Sequence, residues 1–244
     1  MLDKVAVFEY ETDIESKQEE NKMNTLLWLL ILIIPLLAQA NVKLTFHRYC
    51  KRYSSQGLTA DQAARLILDS HGLQYVRIEP IAGDLTDHYS PKENVVRLSE
   101  SVYGQTDIAA IGVAAHECGH AIQHAESYAP VLLRGKLAPY FNLCSYGSYI
   151  MIILGMLFSL NETLISIGIV LFVGVVIFYM VTLPVEFDAS SRALQILDSS
   201  GYLTNDEITG TKKVLTAAAL TYVAALITAL MQLLRLVSMF TRRR

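Results

Sequence analysis

Cysteine and net charge are both scarce in this chain. Only three cysteines occur among the 244 residues, and their spacing shows no pairs. An odd number of cysteines without paired spacing argues against a disulfide framework and favours a reducing compartment. The formal net charge is only −3, and so small a charge argues against nucleic acid as a partner. The sequence also lacks a visible internal repeat, and its length suits one or two domains.

Apolar residues are abundant instead. They make up 52% of the chain, which is high for a soluble protein and indicates membrane spans. The acidic residues are concentrated at the start, because residues 1–22 hold seven of the 23 acids and three lysines. This segment has no sustained apolar period, so we predict an acidic disordered leader over residues 1–22. Met23 is an alternative start of the protein.

Residues 23–40 contain the first long apolar run and are predicted to form an N-terminal transmembrane anchor. The small residues Ala38 and Ala40 also resemble the cleavage site of a signal peptide. However, acids precede the run and a basic cluster follows it directly at residues 43–52. This asymmetry follows the positive-inside rule, so it favours a retained anchor and places the next residues in the cytoplasm.

Residues 41–136 have the composition of a soluble α/β module. Thr59 is the expected N-cap of a first helix. Thr106 and Asp107 are expected to start a second helix, over residues 108–125, with an N-cap and a first-turn acid. Between them, alternating apolar residues predict a strand over 73–81 and a hairpin built from 83–89 and 95–98. The predicted fold class is therefore mainly helical α/β, with a small β-hairpin, integrated with transmembrane helices.

Residues 137–184 contain two apolar runs separated by a short polar turn at 161–163. We predict a transmembrane hairpin here. Pro184 is expected to break or kink its second helix. Residues 185–213 are then predicted to be a polar helical region, and residues 214–244 a C-terminal membrane helix with a basic tail, which either spans the bilayer or lies against the hairpin.

The strongest chemical signal is an H-E-x-x-H motif, formed by His116, Glu117 and His120. Residues i and i+4 share one face of a helix, so both imidazoles can bind one ion. Zn²⁺ suits this pair of ligands, and a catalytic zinc keeps one coordination position open. Glu117 is the candidate general base that takes a proton from the attacking water.

A zinc site needs a third protein ligand. His124 shares the motif's face but lies two helical turns from His116, about 12 Å along the axis, so we expect a supporting or surface position. Glu186 is the favoured ligand because two membrane crossings return the chain to the side that carries His120. Asp188 is the competing candidate.

These stretches carry a family resemblance: residues 85–89 (LTDHY), 96–100 (VRLSE), 114–125 (AAHECGHAIQHA), 183–190 (LPVEFDAS) and 217–225 (AAALTYVAA). From about residue 40 to its C-terminus, the chain resembles the YugP-like family of membrane zinc metallopeptidases. It is also similar to HtpX-type membrane peptidases, in which the glutamate of a Glu-x-x-Ala-Asp motif is the third ligand. On that pattern Glu186 matches the glutamate, whereas Ser190 replaces the aspartate that orients a zinc histidine. The resemblance implies a gluzincin-like module, a site facing the cytoplasm and peptide-bond hydrolysis.

Other residues have weaker signals. Cys118 points away from His116 on the helix and is expected to pack in the core. His88 is interpreted either as a substrate contact or as a structural histidine. Tyr222 is expected mainly to pack, with an oxyanion donor as the alternative. We also predict that Val95–Leu98 is an edge strand that pairs with an extended peptide substrate.

The functional hypothesis is a multi-pass protein of the cytoplasmic membrane that uses Zn²⁺ to hydrolyse peptide bonds in membrane or membrane-proximal polypeptides. The metal ligands would be His116, His120 and Glu186, with Glu117 as the catalytic residue. An alternative is a non-catalytic membrane scaffold with a structural metal site, although such sites usually have four protein ligands and favour cysteine. An intramembrane motif is disfavoured because the apolar stretch before His116 is far shorter than a span.

Overall fold

The computed structural model describes residues 2–158 and 161–241, and it is mainly helical. Within these residues, the elements in chain order are α1 (Leu2–Tyr49), α2 (Ala60–Ser70), β1 (Arg77–Ile81), β2 (His88–Ser90), β3 (Val95–Ser99), α3 (Ile108–Ala125), α4 (Ala129–Leu157), α5 (Glu162–Ser199) and α6 (Asn205–Thr241). The predicted class, a mainly helical chain with a small sheet and long apolar helices, is confirmed.

The soluble module is organised around α3, which packs against α2, α5 and α6. Capping residues next to each helix set the starts of α2 and α3. The Thr59 side chain accepts a hydrogen bond from the Gln62 amide in a capping box, and Asp107 accepts from the amides of Ala109 and Ala110. The predicted cap at Thr59 is confirmed. At α3 the cap is Asp107 itself, so this residue is not a first-turn acid that follows a cap at Thr106. Each cap offsets amides that a helix start leaves unpaired. The result is a rigid, buried helix that carries the motif.

The sheet has the order β1-β3-β2. β3 pairs in parallel with β1 and antiparallel with β2, so the predicted hairpin is confirmed. The prediction that Val95–Leu98 is an edge strand is wrong, because β3 is the central strand. Val95, Val96 and Leu98 are all fully buried, and a strand that is apolar on both faces belongs in the middle of a sheet. β3 has no free edge for a peptide.

In the part of the chain that the structure describes, four helical segments are long and apolar enough to cross a membrane: Lys22–Tyr49, Ala129–Leu157, Glu162–Ser199 and Asn205–Phe240. α4 packs along α5, as expected for a transmembrane hairpin, and α6 packs against both α1 and α5. The polar turn lies close to where the sequence predicts it, since Asn161 caps α5 by accepting a hydrogen bond from the Leu164 amide. The chain is therefore a membrane protein in which α4, α5 and α6 continue into the soluble module.

Two boundaries differ from the sequence predictions. The helix α1 begins at Leu2, so the predicted disordered leader is helical and continuous with the anchor. No glycine or proline occurs before Pro35, and a helix that starts in the apolar run can therefore extend back through the leader. In addition, α5 continues through Pro184 without ending. Proline removes one helical hydrogen bond, and contacts with α4 and α6 hold both halves of α5 in place.

Candidate metal centre

The helix α3 presents two imidazoles side by side. His116 and His120 lie one turn apart, and their ring centroids are 4.7 Å from each other in an edge-to-face arrangement. Residues four apart on a helix project from the same face. The pair therefore has the arrangement predicted for two of the three metal ligands, and local helical geometry alone produces it.

A carboxylate from α5 completes this cluster. The Oε2 atom of Glu186 lies 3.3 Å from Nε2 of His116 and 3.5 Å from Nε2 of His120. Glu186 is almost completely buried. Since α5 passes through Pro184 without a break, this carboxylate is attached rigidly to the membrane-spanning part of the same helix.

The three side chains fit a zinc ion. Oε2 of Glu186 is buried without a hydrogen-bond partner among the described residues, and a buried carboxylate oxygen is costly to leave unpaired. Tetrahedral zinc with bonds of about 2.0–2.1 Å holds its ligand atoms about 3.3 Å apart. The two distances from Oε2 to the imidazole nitrogens agree with that spacing. Two imidazoles and one carboxylate are also a ligand set of catalytic zinc sites.

Asp188 lies outside the cluster. Its Oδ2 atom accepts hydrogen bonds from Nε of Arg192 at 2.6 Å and from Nε2 of Gln123 at 2.8 Å. Two donors already bind this oxygen, and Asp188 is not part of the group formed by His116, His120 and Glu186. Asp188 instead helps to anchor Gln123.

Each histidine is held through its other nitrogen. Nδ1 of His116 lies 3.1 Å from Oγ of Ser190, and Nδ1 of His120 lies 3.0 Å from Oε1 of Gln123. The Gln123 oxygen can only accept, so Nδ1 of His120 donates and its Nε2 lone pair can face a metal. The Ser190 hydroxyl allows the same tautomer of His116 when it accepts. Ser190 therefore contacts one of the two histidines, as the aspartate of the HtpX-type pattern is expected to do.

Gln123 is a site residue that the sequence analysis missed. It is fully buried, and its Nε2 donates to the Val185 carbonyl oxygen and to Asp188, both at 2.8 Å. These bonds hold its amide with the oxygen towards His120. The available signal was its position three residues after His120, on the same helix face. Gln123 thus connects α3 to α5 beside the candidate metal ligands.

We expect Gln123→Met to lower zinc affinity by about 10–100-fold, the usual effect of losing a partner that orients a metal ligand. Methionine keeps the volume of the side chain but cannot accept from His120 or donate to Asp188. The measurement is competition for zinc with a chromophoric chelator, with the protein in detergent. Gln195→Met, at an exposed glutamine of α5, is the control, and equal affinities for the two variants would contradict this role.

The approach of α3 to α5 depends on Gly119. A Cβ atom placed there would lie 2.6 Å from the carbonyl oxygen of Ala189 and 3.2 Å from its Cα. These contacts are with backbone, which cannot rotate away as a side chain can. Gly119 therefore allows the helix that carries both histidines to lie directly against the helix that carries Glu186.

Gly119→Ala is expected to lower the free energy of unfolding by about 1–3 kcal/mol through overpacking and to reduce bound zinc. The matched control is Gly135→Ala in α4, where an added Cβ meets nothing within 4 Å. That control should be neutral or gain up to about 1 kcal/mol from helix propensity. Thermal unfolding in detergent and zinc content per chain are the measurements. A Gly119→Ala protein as stable and as zinc-loaded as the control would refute the close contact.

The cluster opens into a cavity of about 350 Å³. Its walls include the three candidate ligands together with Glu117, Asp87, His88, Tyr89, His124, Val131, Arg134, Ala138, Phe178 and Tyr222. Glu117 is largely buried, so it lies at the cavity wall with little contact with bulk water. The soluble module and the membrane helices therefore share the walls of a single cavity.

Three residues with weaker signals can now be placed. His88 and Tyr222 both line the cavity, although they come from distant parts of the chain. Nδ1 of His88 donates to the Thr86 carbonyl oxygen at 3.0 Å, which leaves Nε2 free for another partner. His124 also lines the cavity, where its ring lies 5.7 Å from that of Tyr89, and it stays outside the three-ligand cluster.

Cys118 lies on the opposite side of α3. It is fully buried, and its Sγ is 3.6 Å from the carbonyl oxygen of Ala64 in α2. Burial raises the pKa of its thiol, so the reactive thiolate is disfavoured. The prediction that Cys118 packs in the core is confirmed.

Two charged residues of the cavity had not been assigned from sequence. Nη1 of Arg134, on α4, lies 3.3 Å from Oε1 of Glu186, the carboxylate oxygen that faces away from the histidines. Asp87 accepts hydrogen bonds from the amide and the hydroxyl of Ser99 at 2.7 and 2.9 Å. Burial raises the pKa of the Asp87 carboxyl, although these bonds oppose the shift. Asp87 thereby ties the segment before β2 to the end of β3.

Comparisons with known proteins agree with this geometry. The model of a family described as "Putative neutral zinc metallopeptidase" matches residues 24–241. The chain is 51% identical over 208 residues to the "Putative membrane protease YugP" of Bacillus subtilis (strain 168), covering 85% of this chain and 92% of that protein. No solved structure matches the chain. The match over most of its length shows that this membrane protein belongs to the neutral zinc metallopeptidase family that the first of these descriptions names.

Proposed function

We propose that this protein is a zinc-dependent endopeptidase that cleaves membrane or membrane-proximal polypeptides. The observation that carries the proposal is the meeting of Nε2 of His116, Nε2 of His120 and Oε2 of Glu186 within 4.8 Å of one another. This cluster lies in the same cavity as Glu117. A metal site open to a cavity, with a carboxylate beside it, is suited to hydrolysis.

In this proposal His116, His120 and Glu186 hold the zinc ion. When bound, zinc supplies Lewis acidity for a peptide carbonyl and lowers the pKa of water. Gln123 keeps the imidazole of His120 in the tautomer that binds metal, and Ser190 allows the same tautomer of His116. Arg134 pairs with the other oxygen of Glu186, so this carboxylate can bind metal with Oε2 alone.

Glu117 is the general base and then the general acid. It accepts a proton from the attacking water and delivers that proton to the leaving amine. Its position at the wall of the cavity that also contains the three candidate ligands supports this role. Tyr222 lines the same cavity as Glu117 and Glu186. Its hydroxyl would donate a hydrogen bond to the carbonyl oxygen as negative charge develops there.

The cavity walls support a substrate close to the membrane. Ala138 and Phe178 come from the membrane-crossing helices α4 and α5, whereas His88 and Tyr89 come from β2 on the soluble side. A peptide in the cavity would touch both parts of the protein. β2 is also an outer strand of the sheet, and an outer strand can pair with an extended peptide.

The topology supports a cytoplasmic site. α4 and α5 both cross the membrane between His120 and Glu186, so α3 and the ligand end of α5 lie on one side. The basic cluster at residues 43–52 follows the first apolar segment on that same side. Positive charge next to a span favours the cytoplasm. We therefore assign the catalytic cavity to the cytoplasmic face of the cytoplasmic membrane.

The alternative of a structural metal site has less support. Among the residues that the structure describes, only one group of three potential ligands converges, without a fourth. Structural zinc sites usually have four protein ligands. Glu117 at the cavity wall would also have no purpose in a purely structural site.

The proposal is tested by comparing membrane fractions of cells that contain either the parent chain or Glu117→Gln. New polypeptide N-termini should appear only with the parent, and they should map to membrane proteins or to segments next to their spans. Identical sets of N-termini would refute the proposed activity. New termini confined to soluble proteins far from the membrane would refute the substrate class.

A further inference from the structure

A second cavity lies between α1 and α6, away from the candidate metal centre. It has a volume of about 430 Å³. Its polar lining consists of Asn41, Thr45, Arg48, Thr209, Lys212, Lys213 and Thr216, and we call this cavity the basic groove. It contains three cations and no acid, and it shares no residue with the wall of the catalytic cavity.

The basic groove lies at the level of a membrane surface. On α1, Asn41 directly follows the apolar run that ends at Ala40. On α6, Lys213 directly precedes Val214, where the last apolar run begins. The two helices therefore change from polar to apolar at the same groove. A lipid headgroup beside the protein would lie at this level.

The cations of the basic groove have no acidic partner among the described residues. Arg48, Lys212 and Lys213 have no carboxylate within salt-bridge distance among the side chains that the structure describes. Five other arginines do pair with acids: Arg65, Arg77, Arg97, Arg134 and Arg192. Three like charges around one cavity repel one another. Their arrangement is stabilised when an anion lies between them.

The groove also offers neutral donors and an apolar floor. Thr45 and Thr216 add hydroxyl groups that can donate to phosphate oxygens. Ala217 and Leu220 line the end that continues into the apolar part of α6, and Leu220 is 45% exposed. Phosphate donors next to exposed apolar surface match a headgroup with its acyl chain. We propose that the basic groove binds the headgroup phosphate of an anionic phospholipid.

The experiment uses the full chain in detergent and native mass spectrometry, with palmitoyl-oleoyl phosphatidylglycerol as the probe. The zwitterionic phosphatidylcholine with the same chains is the second lipid. Lys212→Gln/Lys213→Gln removes two charges from the groove. Lys92→Gln/Lys136→Gln is the matched control, because it removes two exposed lysines that lie outside it. Arg48→Gln tests the α1 side, and far-ultraviolet circular dichroism checks that each variant is folded.

We expect the parent and the control to retain phosphatidylglycerol more strongly than phosphatidylcholine. Binding should weaken by about five-fold for each groove lysine removed, and also in Arg48→Gln. Equal retention by the groove variant and the control would overturn the proposal, as would equal retention of the two lipids. Inorganic phosphate distinguishes the source of the anion. If millimolar phosphate displaces the lipid completely, the site is one for free phosphate and the lipid assignment is wrong.

Discussion

Glu117→Gln is expected to keep stoichiometric zinc and to lose peptide hydrolysis by about 10²–10⁴-fold, the usual contribution of a general base. Glutamine has nearly the same shape as glutamate but cannot take a proton from water. His116, His120 and Glu186 remain in place, so the metal should stay bound. The measurements are zinc per chain by atomic emission, and hydrolysis of an unfolded protein substrate by the chain in lipid nanodiscs.

Glu100→Gln is the control for this variant. Glu100 is exposed directly after β3, and it does not line the cavity at the candidate metal centre. The Glu100→Gln protein should hydrolyse substrate as fast as the parent. Glu117→Gln could instead keep the parent's rate of hydrolysis, lose it when a chelator removes zinc and regain it when zinc is added back. In that case another group would be the base. A loss of zinc in Glu117→Gln would instead assign this residue a role in holding the metal.

The second large effect is expected at Glu186. Glu186→Gln should weaken zinc binding by more than about 100-fold, because loss of a direct ligand exceeds the 10–100-fold effect of losing an orienting partner. The amide keeps the volume of the side chain but loses the charge that pairs with the metal and with Arg134. Zinc affinity is measured by chelator competition in detergent, and helix content by circular dichroism.

Asp188→Asn is the matched comparison for Glu186→Gln. Both residues lie on α5, but Asp188 is bound to Arg192 and Gln123 rather than to the histidine pair. Its effect should be smaller and should resemble that of Gln123→Met, since both changes weaken the support of His120. Retained zinc in Glu186→Gln together with zinc loss in Asp188→Asn would reverse the assignment of the third ligand.

Local chemistry explains which parts of the fold were predictable. Thr59 and Asp107 start helices because their side chains bind amides within three residues. Apolar runs of sufficient length predicted the membrane helices, because a span needs about 20 apolar residues whatever their neighbours. Such signals act over a few residues, so they survive in almost any tertiary arrangement.

The predictions that failed depend on contacts between segments that are far apart in the chain. β3 was interpreted as an edge strand, but its pairing with β1 depends on a segment that lies 18 residues earlier, since Arg77 pairs with Val95. At Pro184 the predicted break does not occur, because packing of α5 against α4 and α6 outweighs the tendency of proline to end a helix. The kink that was the alternative at Pro184 stays a prediction. In both cases contacts between distant segments outweigh the local pattern.

The same division applies to the candidate metal centre. The H-E-x-x-H motif by itself determined that His116 and His120 share a helix face, because helical hydrogen bonding sets the i, i+4 spacing. Only the tertiary structure decided that Glu186 rather than Asp188 reaches them, and that Gln123 and Arg134 support the cluster. The physical reason is that side chains from α3, α4 and α5 meet through helix packing, such as the contact at Gly119. No spacing along the chain encodes that contact.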